Sequence, residues 1–148
     1  MKIYTIGHSN RNIEKFLELL KNYEIECIID VRRFPTSKIE EYKKENLEKF
    51  LAANKIKYIH MRNLGGFRGG YEKWMLSNEW KKAYEMLKKI ALNCITAILC
   101  AEKLPFKCHR RYIARALKKD GWNVIHIIDE NKIWEEKFRK NISLPDTP

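Results

Sequence analysis

Residues 95–100, Ile95-Thr96-Ala97-Ile98-Leu99-Cys100, carry the clearest strand signal in the chain. They form a short, uncharged, mostly apolar run. Working outward, residues 26–31 (ECIIDV) are also nearly all apolar, as a strand covered on both faces should be. Weaker strand runs occur at 2–6 (KIYTI), 56–61 (IKYIHM) and 123–128 (NVIHII). Helical spacing fills the gaps. Ile13, Phe16, Leu17 and Leu20 fall at i, i+3, i+4 and i+7, with Ser9 to Asn12 offering caps. Leu47, Phe50 and Leu51 mark a second helix, and Trp80, Ala83, Tyr84, Leu87 and Ala91 a third that starts at Ser77. Ile113, Ala116 and Leu117 mark a fourth, closed by Gly121. Ile133, Trp134 and Phe138 read as a short last helix. Five alternations of strand and helix predict an α/β fold: a three-layer, Rossmann-like domain with a mostly parallel sheet of about five strands and helices on both faces.

The chain has 148 residues, which suits one domain, read as residues 1–140 with a frayed tail at 141–148. Hydrophobic residues make up 45% and charged residues 33%, a balance that excludes an intrinsically disordered chain. No apolar run approaches the roughly 20 residues of a membrane-spanning helix. The start, MKIYTIGHSN, has no signal-peptide pattern, so a cytoplasmic protein is expected. Four cysteines, Cys27, Cys94, Cys100 and Cys108, are too sparse for a disulfide scaffold. Cys27 and Cys94 border apolar runs and are expected to be buried.

Parallel α/β sheets bind ligands at the carboxyl ends of their strands. Polar residues follow each of the first four strands here. Gly7-His8-Ser9-Asn10 follows the first, Asp30-Val31-Arg32-Arg33 closes the second, and Arg62-Asn63-Leu64-Gly65-Gly66 follows the third. Cys100-Ala101-Glu102 ends the fourth, and Cys108-His109-Arg110-Arg111 opens the next helix. A helix start offers free N–H groups and a positive dipole end, which favour an anion and lower a thiol's pKa. Cys108 is therefore a candidate nucleophile and Arg110 a candidate anion clamp. Asp30 and Glu102 are candidates for proton transfer, with a salt bridge from Asp30 to Arg32 or Arg110 as the competing structural role. His8 is a fourth catalytic candidate. Ser9, Arg32, Gly65, Gly66, Arg68 and His109 complete a substrate-binding set with Arg110.

No cofactor is expected. Cys100, Cys108, His109 and His8 could in principle ligate zinc, but Cys-x7-Cys followed directly by His is not a usual structural spacing. The segment 63–74 holds four glycines, suited to positive φ and anion-holding backbone nests. Its Phe67, Tyr71 and Trp74 beside Arg68 would suit ring stacking. The formal net charge is +11, and all but one of those charges fall in residues 55–82 and 101–120, the windows that hold this loop and the Cys-His-Arg helix start. That distribution reads as a positive rim around one crevice.

Taken together, Thr5-Ile6-Gly7-His8-Ser9-Asn10, Asp30-Val31-Arg32 with Pro35 and Ser37, Leu64-Gly65-Gly66, Cys100-Ala101-Glu102 and Cys108-His109-Arg110 resemble the "domain of unknown function 488" family over roughly residues 3–128. The resemblance supports the fold and the site, and the family name carries no activity. A weaker similarity, to rhodanese-like sulfurtransferases, rests on Asp30-x-Arg32 and a strand-ending cysteine. It would make Cys100 a persulfide carrier, but Pro105 and the ten residues to Arg110 depart from that family's tight loop.

The expected function is thus an enzyme, a transferase or hydrolase, acting on a phosphate-bearing substrate related to nucleotides or nucleic acid. The alternatives are a non-catalytic nucleic-acid-binding module and a thiol or sulfur transferase. Expected partners are a phosphate-bearing small molecule or a nucleic acid, with no membrane; a homodimer is compatible with the sequence.

Overall fold

The structure is a computed structural model and describes residues 1–67 and 69–137. The elements are β1 (Lys2–Gly7), α1 (Ile13–Asn22), β2 (Cys27–Asp30), α2 (Lys44–Ala53), β3 (Lys57–His60), α3 (Tyr71–Trp74), α4 (Asn78–Asn93), β4 (Thr96–Cys100), α5 (Arg110–Lys119), β5 (Asn123–Asp129) and β6 (Lys132–Glu135). Single 3₁₀ turns at Glu40–Tyr42, Arg62–Leu64 and Pro105–Lys107 shape the loops after β2, β3 and β4. The sheet runs β3-β2-β4-β1-β5-β6, and every pairing is parallel except the last. This is the α/β fold expected, with a sixth strand added.

That strand corrects one expectation. Residues 132–135 are not helical; they turn back on β5 through a two-residue connection, with Ile127 opposite Ile133. Phe138, Arg68 and the tail at 141–148 lie outside the described residues.

Two cores sandwich the sheet. Phe16, Leu19 and Leu20 of α1 and Leu47 and Leu51 of α2 pack with Ile6, Ile28 and Leu99 on one face. Trp80, Tyr84 and Leu87 of α4 and Ile113, Ala114 and Leu117 of α5 pack with Ile3, Ile29 and Ile98 on the other. The alternation of Ile28 and Ile29, or Ile98 and Leu99, between the faces is the period-two consequence of the pleat. Local signals set the helix ends: the Asn12 side chain accepts from Glu14 N, that of Ser77 accepts from Trp80 N, and Gly121 takes φ +94° just beyond α5.

This topology places a switch point between β1 and β4. Chain leaving β1 turns into α1 on one face, whereas chain leaving its neighbour β4 reaches α5 on the other. Such a divergence between adjacent parallel strands marks the edge at which ligands of open α/β sheets bind. No helix among the described residues is long and apolar enough to cross a membrane.

Beneath α5, Thr5, His126 and Glu136 form a buried chain. Thr5 Oγ1 lies 2.6 Å from His126 Nδ1, and His126 Nε2 lies 3.0 Å from Glu136 Oε1. It ties the end of β6 to the centre of the sheet. Burial is the largest influence on His126 and outweighs Glu136, so its pKa lies below the usual histidine value.

Candidate thiol site at the carboxyl edge

Gly7 is where the site is assembled. The β1–β4 ladder runs past the strand ends, with His8 N donating to Cys100 O (2.9 Å) and Ser9 N to Ala101 O (2.8 Å). A Cβ on Gly7 would sit 1.6 Å from the Glu102 carbonyl oxygen and 2.9 Å from Arg110 NH1. Glycine is needed for this approach, and what approaches is the chain's own backbone rather than a ligand. Ser9 follows in the left-handed region at φ 51°.

On the α1/α2 side, Asp30 and Arg32 are both buried and form a bidentate pair, Arg32 NH2 to Asp30 Oδ2 at 2.7 Å and Nε to Oδ1 at 3.0 Å. Tyr58 Oη donates to the same Oδ2, and Arg32 N donates to Oδ1, so both carboxylate oxygens are engaged. The second arm of Arg32, NH1, donates to Tyr42 O at 2.7 Å and faces His8 Nε2 at 3.4 Å. His60 Nε2 donates to Arg32 O. His8 stacks on Tyr42 with 4.3 Å between ring centroids. Its Nδ1 donates to Ser9 O at 2.8 Å, which leaves Nε2 as the acceptor. Burial, with smaller pulls from neighbouring groups, places its pKa below the usual value, so the imidazole is neutral. Of the two alternatives the sequence left for Asp30, the structure draws the salt bridge.

On the α4/α5 side lies the thiol cluster. Cys108 immediately precedes the first turn of α5; its Sγ is 2.7 Å from Cys100 Sγ, 3.4 Å from Arg110 N and 3.9 Å from His109 Nδ1. His109 Nε2 donates to Val31 O (3.2 Å), which turns Nδ1 toward the thiol. Arg110 is wholly buried; NH1 donates to Cys100 Sγ (2.8 Å), NH2 to Lys103 O (2.9 Å), and Nε has no partner. No carboxylate among the described residues is within ion-pair reach of it. A buried guanidinium of this kind favours a thiolate beside it. The hydrogen bond with Cys100, aided by His109 and the Arg110 N–H, lowers Cys108 to about 4, whereas burial pushes Cys100 well up. The two thiols are thus pulled in opposite directions, with Cys108 the more readily ionised.

The third strand's loop closes the rim. Gly65 packs on Arg33, where a Cβ would meet backbone at 2.6 Å, and Gly66 O accepts from Arg33 Nε at 2.6 Å. Of the four glycines in this loop only Gly70 takes a positive φ, so the expected backbone nest is not formed by Gly65 and Gly66. Phe67 stacks on Trp74 at 4.6 Å, and the Arg33 guanidinium lies 5.4 and 5.5 Å from their centroids. Tyr71 is instead buried beneath His109, with Trp80 Nε1 donating to its hydroxyl. Glu102 is exposed, its backbone rather than its carboxylate lining the site.

Among the described residues, no three His, Cys, Asp or Glu side chains are arranged to hold a metal ion. Tyr42, Tyr58 and Arg11, whose Nε donates to Gly7 O, were not legible as site residues. Tyr58 had a signal: two residues before His60, the register partner of Asp30, it shares Asp30's face.

Fold and site together define an α/β protein with a paired-thiol centre at the carboxyl edge of a mostly parallel sheet. The model of the family described as Domain of unknown function DUF488 matches residues 12–117, and the chain belongs to that family. The matched span holds Asp30, Arg32, Cys100, Cys108 and Arg110, while Gly7 and His8 precede it. Among curated proteins and among solved structures no match is found.

His8 and His126 make stability pH-dependent with a definite sign. Both pKa values are lowered on folding, so the unfolded chain binds more protons below the free histidine value of about 6.5. Their contribution is fully present above that value and lost as pH falls through it. Urea melts at pH 7.5 and 5.5 should differ by about 1–3 kcal/mol, less stable at the lower pH. His126→Gln should remove a large part of that difference.

Proposed function

We propose that this protein is an enzyme of the transferase or hydrolase type that uses Cys108 to attack a phosphate-bearing, nucleotide-like substrate. The observation that carries the reading is the position of Cys108 Sγ: at the start of α5, in contact with Cys100, Arg110 N and His109, above a buried arginine. A helix N-terminus beside cationic groups both activates a thiol and attracts an oxyanion. In the first step a P–S bond forms to Cys108 as the bond from phosphorus to the leaving oxygen breaks. That oxygen takes a proton from His109 Nδ1, the ring entering this step protonated at both nitrogens. Water then attacks phosphorus, the P–S bond breaks, and Cys108 departs as thiolate while His109 accepts the water's proton.

The remaining site residues have supporting parts in this scheme. Arg110 holds Cys100 against Cys108. Asp30 fixes Arg32, which braces His8 through its ring nitrogen; these are positioning residues. The exposed Phe67, stacked on Trp74 beside Arg33, offers a face for a nucleobase. Gly66, Ser9 and the exposed Glu102 are further candidates to meet the substrate, as is Arg68, which lies outside the described residues.

Trapping tests the reading. The reduced protein is mixed with p-nitrophenyl phosphate or a nucleoside monophosphate and denatured rapidly under alkaline conditions. A mass gain of about 80 Da on the Cys108 peptide is expected, the phosphoryl group of a covalent intermediate. Absence of both nitrophenol release and adduct overturns it. Binding of nucleic acid with neither would point to the non-catalytic module.

A further inference from the structure

The described residues hold two pairs of neighbouring cysteines at opposite edges of the sheet, and their surroundings differ. Cys27 is buried beside Cys94 at the start of the strands; burial, with Cys94 adding to it, pushes its thiol up to about 12. No buried arginine or helix start adjoins that pair, so it behaves as inert packing. Cys100 and Cys108 touch through sulfur at 2.7 Å, with the Arg110 guanidinium on Cys100 and the Arg110 N–H on Cys108. Access differs within this pair too. Cys108 is half-buried, and Cys100 is only 2% exposed behind it.

We propose that Cys100 and Cys108 are a site of two-electron oxidation by hydroperoxides, with Cys108 the sulfur that meets the oxidant and Cys100 the one that resolves it into a disulfide. The steps balance without any further reagent. The Cys108 thiolate attacks the terminal oxygen of the hydroperoxide; an S–O bond forms, the O–O bond breaks, and the departing alkoxide or hydroxide takes a proton from His109 or solvent. The sulfenic acid is then attacked by Cys100. An S–S bond forms, the S–O bond breaks, and the hydroxide leaves as water with the Cys100 proton. Two thiols and one hydroperoxide give one disulfide, one alcohol or water, and one water. Sulfur contact favours the second step over further oxygenation of Cys108, because the resolving thiol is already within reach. The oxidised pair has no free nucleophile and no thiolate to balance Arg110. The proposal does not depend on the phosphate reading, since it follows from sulfur geometry alone.

The test uses the full chain, reduced and freed of reductant, treated with one equivalent of hydrogen peroxide. Free thiols should fall from four to two, and the intact mass by about 2 Da. Peptide mapping should show Cys100 joined to Cys108 with Cys27 and Cys94 unmodified, and dithiothreitol should restore all four. In Cys100→Ser the disulfide should vanish, and a dimedone adduct on Cys108 should replace it. Oxidation of wild-type Cys108 straight to sulfinic acid without the crosslink overturns the proposal, as does a bridge that uses Cys27 or Cys94. Four thiols persisting after peroxide treatment overturn it equally. A missing phosphoryl adduct with the disulfide present would reject the phosphate reading and leave this one standing.

Discussion

Cys108→Ser lowers turnover of a phosphate ester by about 10³-fold or more, as removal of a covalent nucleophile does, while the melting temperature moves by no more than about 3 °C. The size of the first effect follows from the chemistry. A serine hydroxyl at this position stays protonated at neutral pH, whereas the Cys108 thiol, its pKa lowered by Cys100, His109 and the Arg110 N–H, ionises far more readily. The small second effect follows from size: the oxygen replaces a half-buried sulfur without opening a cavity as large as a methylene. The measurement is steady-state hydrolysis of p-nitrophenyl phosphate beside a thermal melt. Alkylation by iodoacetamide supplies the control in the wild type, where the rate should already be at its plateau at pH 7. A free thiol would still be climbing toward its value near 8.5. A serine variant that keeps its activity, or a wild-type alkylation profile centred near 8.5, would each remove Cys108 from the chemistry.

What the sequence made legible follows from how local each signal is. The apolar runs that became β2, β4 and β5 need no partner to be recognised, because burial on both faces writes itself into composition. The site's location was readable for a related reason: in a parallel sheet every strand end falls at one edge, so five separate polar clusters had to converge there. β6 was misread because Ile133, Trp134 and Phe138 imitate a helical stripe over a window too short to distinguish periods. Asp129-Glu130-Asn131, polar residues suited to a turn, was the competing hairpin signal. The roles of the charged residues were less visible. A buried Arg110 and a buried Arg32 look the same in sequence as arginines on a positive rim. What separates them is tertiary: Arg32 has Asp30 on it, and Arg110 has a pair of sulfurs. Arg110 lies in the window 101–120, which therefore overstates the charge presented to solvent. Likewise Gly7 shows its purpose only when the Glu102 carbonyl, 95 positions later in sequence, arrives against it.

Asp30→Ala should be the most destabilising exchange in the site, costing about 3–5 kcal/mol, the range for breaking a buried ion pair from one side. The loss is large because of what remains behind. Arg32 is 5% exposed and keeps its charge, held above the ordinary arginine value because Asp30 more than offsets the effect of burial. Without the carboxylate, that cation keeps Tyr42 O and His8 Nε2 as hydrogen-bond acceptors but no counter-charge, and the Tyr58 hydroxyl loses its acceptor. At roughly 2–4 °C per kcal/mol for a chain of this size, the melting temperature should fall by about 6–20 °C. The double variant Asp30→Ala/Arg32→Met separates a structural pair from a catalytic carboxylate. Removing the stranded charge should recover a large part of the lost stability, since an apolar pair of similar volume is often as stable as a buried ion pair. Thiol reactivity at Cys108 should persist in that double variant, because Asp30 and Cys108 do not touch and the lowered thiol draws on Cys100, His109 and α5 instead. Stability recovered with iodoacetamide reactivity intact confirms Asp30 as the brace of the His8 side of the crevice. Stability fully recovered with reactivity abolished would instead place Asp30 in the proton path to the thiol.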